Sequence, residues 1–255
     1  MNVLILTDFS ETSTNAGKYA VDFLQDKEVN FHILNIHNFN FERSASKGLE
    51  KELVSTLDAL QNTVNFLGAY SKPKLHKFDL ILSSENLISA IRKALIEKKI
   101  DLIFIGAVSQ NEHAHPILGD HAYEVVRKIK CNIIAVPGGC TYEKPEKTVF
   151  PVDPAVLAVQ EQKNILDKLQ FLQSSQFTLL EIKDGDVKYP NQDNRNIPFE
   201  TPVPFTRDLF REIQRQFHII FVVGKNLSIC DRLLHSRHGF SAEMNVEIPI
   251  FVYHG

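Results

Sequence analysis

The sequence predicts two tandem α/β domains, each an open, mostly parallel sheet covered by helices, with the second domain reduced. Three observations carry this. Short apolar runs of strand length alternate with stretches of helical period, the pattern of a parallel sheet joined by crossover helices. The alternation starts again after residue 147. The chain has 255 residues, of which 44% are hydrophobic, enough apolar surface for one large or two ordinary domains.

The first half is expected to begin with a strand at residues 3–6, an unbroken apolar run suited to burial on both faces. Asp8-Phe9-Ser10 breaks the run. Ser10 can cap a helix there, Glu11 suits the positive end of its dipole, and Ala16, Tyr19, Ala20, Phe23 and Leu24 share one face. A second strand is expected at 31–36. Leu49, Leu53, Leu57, Leu60, Val64 and Leu67 recur at helical spacing and predict a long amphipathic helix to about Tyr70, whose apolar face calls for burial. A weaker third strand at 75–82, a helix carrying Leu87, Ile88, Ile91, Leu95 and Ile96, and a fourth strand at 102–105 ending at Gly106 come next. After the loop 107–118, Ala122, Val125, Val126 and Ile129 mark a helix, and 133–136 a fifth strand closed by Pro137.

Residues 138–147 are polar, contain Gly and Pro and lack an apolar period, which reads as an interdomain linker. The domain bounds are therefore set at 1–140 and 148–255. Val149-Phe150-Pro151-Val152-Asp153 has the form of Leu4-Ile5-Leu6-Thr7-Asp8, and 177–182, 219–224 and 248–253 match the second, fourth and fifth strands of the first half. Internal duplication explains four matched strands in one order. The second copy is shorter by about the length of the long helix, and the Asn-, Asp- and Pro-rich segment 183–204 is expected to be a loop with at most a short strand.

Composition excludes several functions. With 28 Lys and Arg against 31 Asp and Glu, the net charge of −3 gives no electrostatic reason to bind nucleic acid or an anionic membrane. Cys131, Cys140 and Cys230 are too few and too scattered for a disulfide framework or a CxxC metal site. The first eight residues turn acidic after four apolar ones without a basic leader, so neither signal peptide nor anchor is expected and the protein is placed in the cytoplasm.

Five parallel strands, an Asp at the end of the first and a glycine-bearing loop after the fourth together resemble the universal stress protein family, in a tandem arrangement. The resemblance covers residues 1–137 well and 148–255 loosely. It implies a Rossmann-like fold of the adenine nucleotide alpha hydrolase-like type. In nucleotide-binding members of the family, the loop after the fourth strand carries Gly, two residues, Gly, nine residues, then Gly followed by Ser or Thr. Glycines let the backbone approach phosphate oxygens, a helix N-terminus aims N–H groups at the anion, and the hydroxyl adds a donor. Here Gly106 matches the first position, Ser109 stands at the second, Gly119 matches the third and Asp120 replaces the hydroxyl residue. A carboxylate about 4 Å from a phosphate charge costs roughly 4 kcal/mol at an effective dielectric of about 20, or about three orders of magnitude in affinity. A bridging cation would reverse that sign. The resemblance further aligns Asp8 with the acidic residue that meets the nucleoside and Ile36 with the apolar residue against the adenine ring. In the second half Asp153 and Gly224 are retained, but Leu227 and Arg237 fall at glycine positions, so the phosphate cradle is lost.

Two other constellations bear on function. His113, His115 and His121 gather near Asp120, and imidazoles and carboxylates are transition-metal ligands, although no fixed zinc spacing is met. Asp8-Phe9-Ser10 lacks the second Asp of an aspartyl phosphotransferase motif, and GxSxG, GxxxxGK[ST] and GxGxxG motifs are missing, so catalysis is not expected. In the family the fifth strand commonly mediates dimer contact, which implies an intramolecular pseudo-dimer of the two domains, or a homodimer. The expectation is a regulatory or protective protein that acts through contacts with a protein partner, needs no cofactor and has a degraded nucleotide site. The alternatives are a switch that binds ATP or another adenine nucleotide in the first domain, and a metal-binding protein that uses the loop histidines.

Overall fold

The computed structural model describes residues 1–37, 46–72, 75–107, 118–153, 159–169, 171–183, 186–188, 203–204, 206–224 and 246–255. The chain divides into two compact units, Met1–Gln110 with Lys128–Tyr142, and Asn111–Arg127 with Glu143–Gly255. The sequence pattern groups residues 111–127 with the first half, whereas by compactness they fall with the second unit.

In the first unit, strand β1 (Asn2–Leu6) is followed by helix α1 (Glu11–Phe23), β2 (Val29–Ile36), α2 (Ser46–Tyr70), β3 (His76–Ser83), α3 (Leu87–Lys98) and β4 (Leu102–Gly106). Helix α4 (Asp120–Lys128), all but its last residue counted with the second unit, precedes β5 (Asn132–Val136) of the first. The strand order is β3-β2-β1-β4-β5, all parallel. Val3, Leu4, Phe31, Ile33, Leu102, Ile103, Phe104, Ile133 and Ile134 are fully buried, as central parallel strands covered on both faces require. α1 starts where expected: the Ser10 side chain accepts the N–H of Ser13 at 3.1 Å.

Helix α2 departs from its expected role. Leu60 and Leu67 are buried, but Val54 and Leu57 are 52% and 37% exposed and Phe66 and Tyr70 are exposed as well. The helix lies on β2, β3 and α1 with one stripe only. Phe66 and Tyr70 lie against Lys18 and Asp22 of α1, while Val54 and Leu57 stay exposed, so the apolar period of the sequence is wider than the buried face.

The segment after β5 folds back onto α1. Asn15 Nδ2 donates to the carbonyls of Pro137 and Cys140 at 3.0 and 2.9 Å. The Tyr142 ring sits edge-on to Tyr19 and Phe23, with centroids 5.5 and 6.3 Å away. Burial, with Asp26 and Asp22 nearby, pushes the Tyr142 hydroxyl pKa up. Gly138 to Tyr142, read as the start of a linker, is thus anchored on the first unit.

In the second unit, β6 (Lys147–Val152), α5 (Val159–Lys168), β7 (Gln176–Lys183), β8 (Asp186–Lys188), β9 (Val203–Pro204), α6 (Arg207–Gln216), β10 (Ile219–Val223) and β11 (Ile250–Tyr253) follow in turn. The order is β11-β10-β6-β7-β8-β9. The first four strands of that order run parallel, and β8 and β9 continue it antiparallel. The segment expected to hold at most one short strand holds two among its described residues, β8 pairing antiparallel with β7 and β9 antiparallel with β8, a connection that needs no long crossover. The core is aromatic: Phe150, Phe221 and Phe251 are fully buried, with Phe150 and Phe251 edge-on to Phe221.

Candidate functional site

In an open parallel sheet, the crevice at the carboxyl ends of the strands, where the strand order reverses, is the ligand-binding position. Here the order reverses between β1 and β4. Asp8 lies just beyond β1, Ile36 is the last residue of β2 and Gly106 the last of β4. The first domain therefore presents three of its expected site residues on adjacent strand ends of one unit. Asp8 is exposed, and Ile36 and Gly106 are half-buried.

The loop that carries Asp8 is a closed hydrogen-bond network. Asp8 Oδ1 accepts the N–H of Ser10 at 3.0 Å, and Thr7 Oγ1 accepts the N–H of Phe9 at 3.1 Å. The Ser10 hydroxyl donates to Ser13 Oγ at 3.3 Å, Ser13 Oγ donates to the Ser10 carbonyl at 3.0 Å, and Thr7 Oγ1 lies 3.2 Å from Ser13 Oγ. Asn35 Nδ2 donates to the Thr7 carbonyl at 2.8 Å and ties β2 to the same turn. Burial alone would raise the Asp8 pKa, but hydrogen bonds from Ser10, with smaller ones from Ser13 and its own backbone, outweigh it and hold the carboxyl below its usual range. Asp8 is thus an ionised, exposed carboxylate.

Phe9 beside it has φ of 65° and is 38% exposed. An aromatic residue in left-handed backbone is a local strain, of the kind that collects at functional sites. Thr7, Phe9, Ser13 and Asn35 were not singled out in the sequence. The signal available was the Ser10-to-Ser13 spacing, which is that of an N-cap and the third residue of its helix.

Gly106 has a structural reason of its own. A Cβ added there would lie 2.8 Å from Thr12 Cγ2 and 3.4 Å from the Ser13 nitrogen, so the glycine permits β4 to approach the head of α1. In the second unit Gly224 is tight for a different reason, since a Cβ there would meet the His254 ring at 2.5 Å.

Gly119 is half-buried, and Asp120 is the exposed first residue of α4. A carboxylate in the first turn interacts favourably with the positive end of its own helix dipole, which leaves that helix head less attractive to a second anion. Ser109, His113, His115, Leu227 and Arg237 lie outside the described residues. His121 is exposed, and among the described residues no group of three or more His, Cys, Asp or Glu is placed to hold a metal ion. Asp153 is half-buried just beyond β6. Of the cysteines, burial pushes the Cys131 thiol up to about 12, with Asp101 adding to the shift, and Cys140 is half-exposed. Among the described residues no helix is long and apolar enough to cross a membrane.

The fold and the crevice define a parallel α/β protein with an acidic loop at the switch point of its first sheet. The model of the universal stress protein family matches residues 1–137. The chain belongs to that family and is in that sense a stress-related protein. Three solved structures are similar to it. A universal stress protein from Archaeoglobus fulgidus DSM 4304 is 12% identical, with a TM-score of 0.62 over 99% of this chain and 95% of its own. The universal stress protein UspA from Lactobacillus plantarum is 25% identical, with a TM-score of 0.41 over 53% of this chain and 96% of its own. A universal stress protein in complex with cAMP is 18% identical, with a TM-score of 0.40 over 55% of this chain and 98% of its own. A comparison with curated proteins finds no match. The first of these structures spans nearly the whole chain and shares its fold.

Proposed function

We propose that this chain is a regulatory or protective, non-catalytic member of its family that works in the cytoplasm through contacts with a protein partner, its phosphate-binding capacity lost. The observation that carries this reading is how the polar groups of the crevice are used. The Ser10 hydroxyl caps α1 and donates to the Ser13 hydroxyl, which itself donates to the Ser10 carbonyl, and Gly106 answers to the Thr12 methyl. Asp120 sets a negative charge at the head of α4, where the family's nucleotide-binding members carry a neutral hydroxyl. A triphosphate brought to such a loop meets repulsion worth about 4 kcal/mol per unit charge at about 4 Å and an effective dielectric of about 20.

One observation favours a second reading, an adenine-nucleotide switch in the first domain. Asp8 is held ionised and exposed beside the exposed Phe9, and a carboxylate next to an aromatic face suits a nucleoside. The test is to purify the full chain without added ligand, identify any small molecule or metal released from it, and titrate the apo protein with ATP by calorimetry. An empty protein without a binding heat supports the leading reading. Co-purified adenine nucleotide or micromolar affinity overturns it in favour of the switch, and stoichiometric zinc or iron overturns it in favour of the loop histidines.

A further inference from the structure

His32 stands in the middle of β2 with its side chain only 10% exposed. Phe31 before it packs against the rings of His76 and Phe78, with centroids 5.1 Å away in each case. By the period of two, His32 turns to the opposite face of the sheet. Its neighbours in register are Leu4 on β1 and Asp79 on β3, and Lys98, the last residue of α3, reaches the same place.

Nδ1 of His32 is buried and makes no hydrogen bond among the described residues. Asp79 Oδ2 lies 3.5 Å from it, the outer limit for such a bond. The same oxygen accepts from Lys98 Nζ at 3.1 Å, while Asp79 Oδ1 accepts the N–H of Leu80 at 3.0 Å. One carboxylate oxygen thus stands between an imidazole and an ammonium and bonds only the second. A buried polar nitrogen without a partner is costly, and a proton on His32 Nδ1 would give it one.

We propose that His32, Asp79 and Lys98 form an acid-sensitive latch in which Asp79 exchanges one cation for the other. With His32 neutral, Asp79 holds Lys98 and ties the end of α3 to β3. When His32 takes a proton from solvent, its Nδ1–H donates to Asp79 Oδ2, Lys98 withdraws, and the end of α3 is released. The exposures decide which cation leaves. Lys98 is 37% exposed on a long stem and can be hydrated in place, whereas a charged His32 has only Asp79 to turn to.

Burial, and then the charge of Lys98, hold the His32 pKa below its usual value against the pull of Asp79. The other charges nearby are engaged or turned outward. Lys77 of β3 is exposed, Lys93 of α3 pairs with Glu85 at 3.1 Å and has Glu97 near it, and Arg92 donates to the Lys128 carbonyl. Asp101 accepts the N–H of Asn2, Lys99 is exposed beyond α3, and β1 brings no charge. Because the folded value of His32 lies below the unfolded one, about 6.5, its contribution to stability is present above the unfolded value and is lost as pH falls through the folded one. For Asp79, burial alone would raise the pKa, but the hydrogen bond and charge of Lys98, followed by His32 and the Leu80 N–H, outweigh it and lower it. Its own loss therefore falls below the ordinary carboxylate value of about 3.9, in a separate window.

The test is an NMR titration of the imidazole signals of the full chain from pH 8 to pH 5, with His32 assigned by its loss in His32→Leu. His32 is expected to titrate below the unfolded value, to move up in Lys98→Met and to move further down in Asp79→Asn. Urea unfolding of Asp79→Asn, Lys98→Met and the pair supplies the second readout. The coupling between Asp79 and Lys98 is expected at pH 7.5, to vanish at pH 5, and to persist at both values when His32 is replaced by Leu. Should His32→Leu not fold, backbone assignment identifies His32, and the titrations of wild type and Lys98→Met decide. A His32 that titrates at or above the unfolded value, stays neutral down to pH 5 or ignores Lys98→Met overturns the latch, as does a wild-type coupling that is the same at both pH values.

Discussion

Gly106 and Thr12 are fitted to each other: a Cβ on the glycine would come within 2.8 Å of the threonine methyl. The glycine that marks the start of a phosphate loop in the sequence is thus required by packing at the head of α1, whether or not a phosphate is bound. Gly106→Ala is expected to cost about 1–3 kcal/mol, the range for overpacking. Thr12→Ser, which removes the opposing methyl, should recover part of that loss in the double variant. Urea unfolding of the two single variants and the pair measures this. Additive losses would contradict the packing role.

Ser10 caps α1 and also supports the Asp8 carboxylate. Ser10→Ala is expected to destabilise the chain by about 1 kcal/mol, as for other lost N-caps. Because the folded pKa of Asp8 lies below its ordinary value, its contribution is present above the unfolded carboxylate's pKa and is lost as pH falls through the folded one. Asp8 is exposed, so the effect is small. Asp8→Asn should flatten the acid side of the stability curve and converge with wild type at low pH in urea titrations at a series of pH values.

Cys131 is buried, with a thiol pushed up to about 12. The neutral thiol is the form that the fold favours, so this contribution is fully present below the unfolded thiol's pKa and is lost as pH rises through the folded value. In the native protein at neutral pH, iodoacetamide is expected to leave Cys131 unmodified and to react at Cys140. Labelling at Cys131 should appear only on unfolding, as peptide mapping by mass spectrometry would show.

Asn15 is the donor for two carbonyls of the segment after β5, and Tyr142 packs edge-on against Tyr19 and Phe23. Asn15→Ala leaves both acceptors without that partner and should cost about 1–3 kcal/mol. Limited proteolysis should also cut between residues 138 and 147 faster in Asn15→Ala and Tyr142→Ala than in wild type. Equal rates would mean that the anchoring does not protect this stretch.

The parallel strands were legible because a strand buried on both faces is an unbroken apolar run, as residues 3–6 and 102–105 are. Ser10 was legible as a cap because a hydroxyl before a helical period has few other uses. The anchoring of residues 138–142 was not legible, since Gly, Cys and Thr carry no periodic signal and the contacts come from Asn15 and Tyr19, more than a hundred positions away. Nor was the exposure of Leu57 and Val54, because apolar spacing reports which residues share a face and not whether anything covers that face. At the site, Asp8 and Gly106 were marked by their places at strand ends. The left-handed Phe9 and the Thr7–Ser13–Asn35 network arise from how the β1–α1 turn closes on β2, which a one-dimensional pattern does not encode.

The claim on which the functional reading rests is that Asp120 stands where a phosphate ligand needs a neutral donor. Its most direct test is calorimetric titration of ATP, side by side, into the wild type and the variant Ser109→Gly with Asp120→Ser. The expected result is no micromolar binding to the wild type and a gain toward about three orders of magnitude in the variant, the size set by one misplaced unit charge. Tight binding by the wild type, or a folded variant that binds no better, would contradict it.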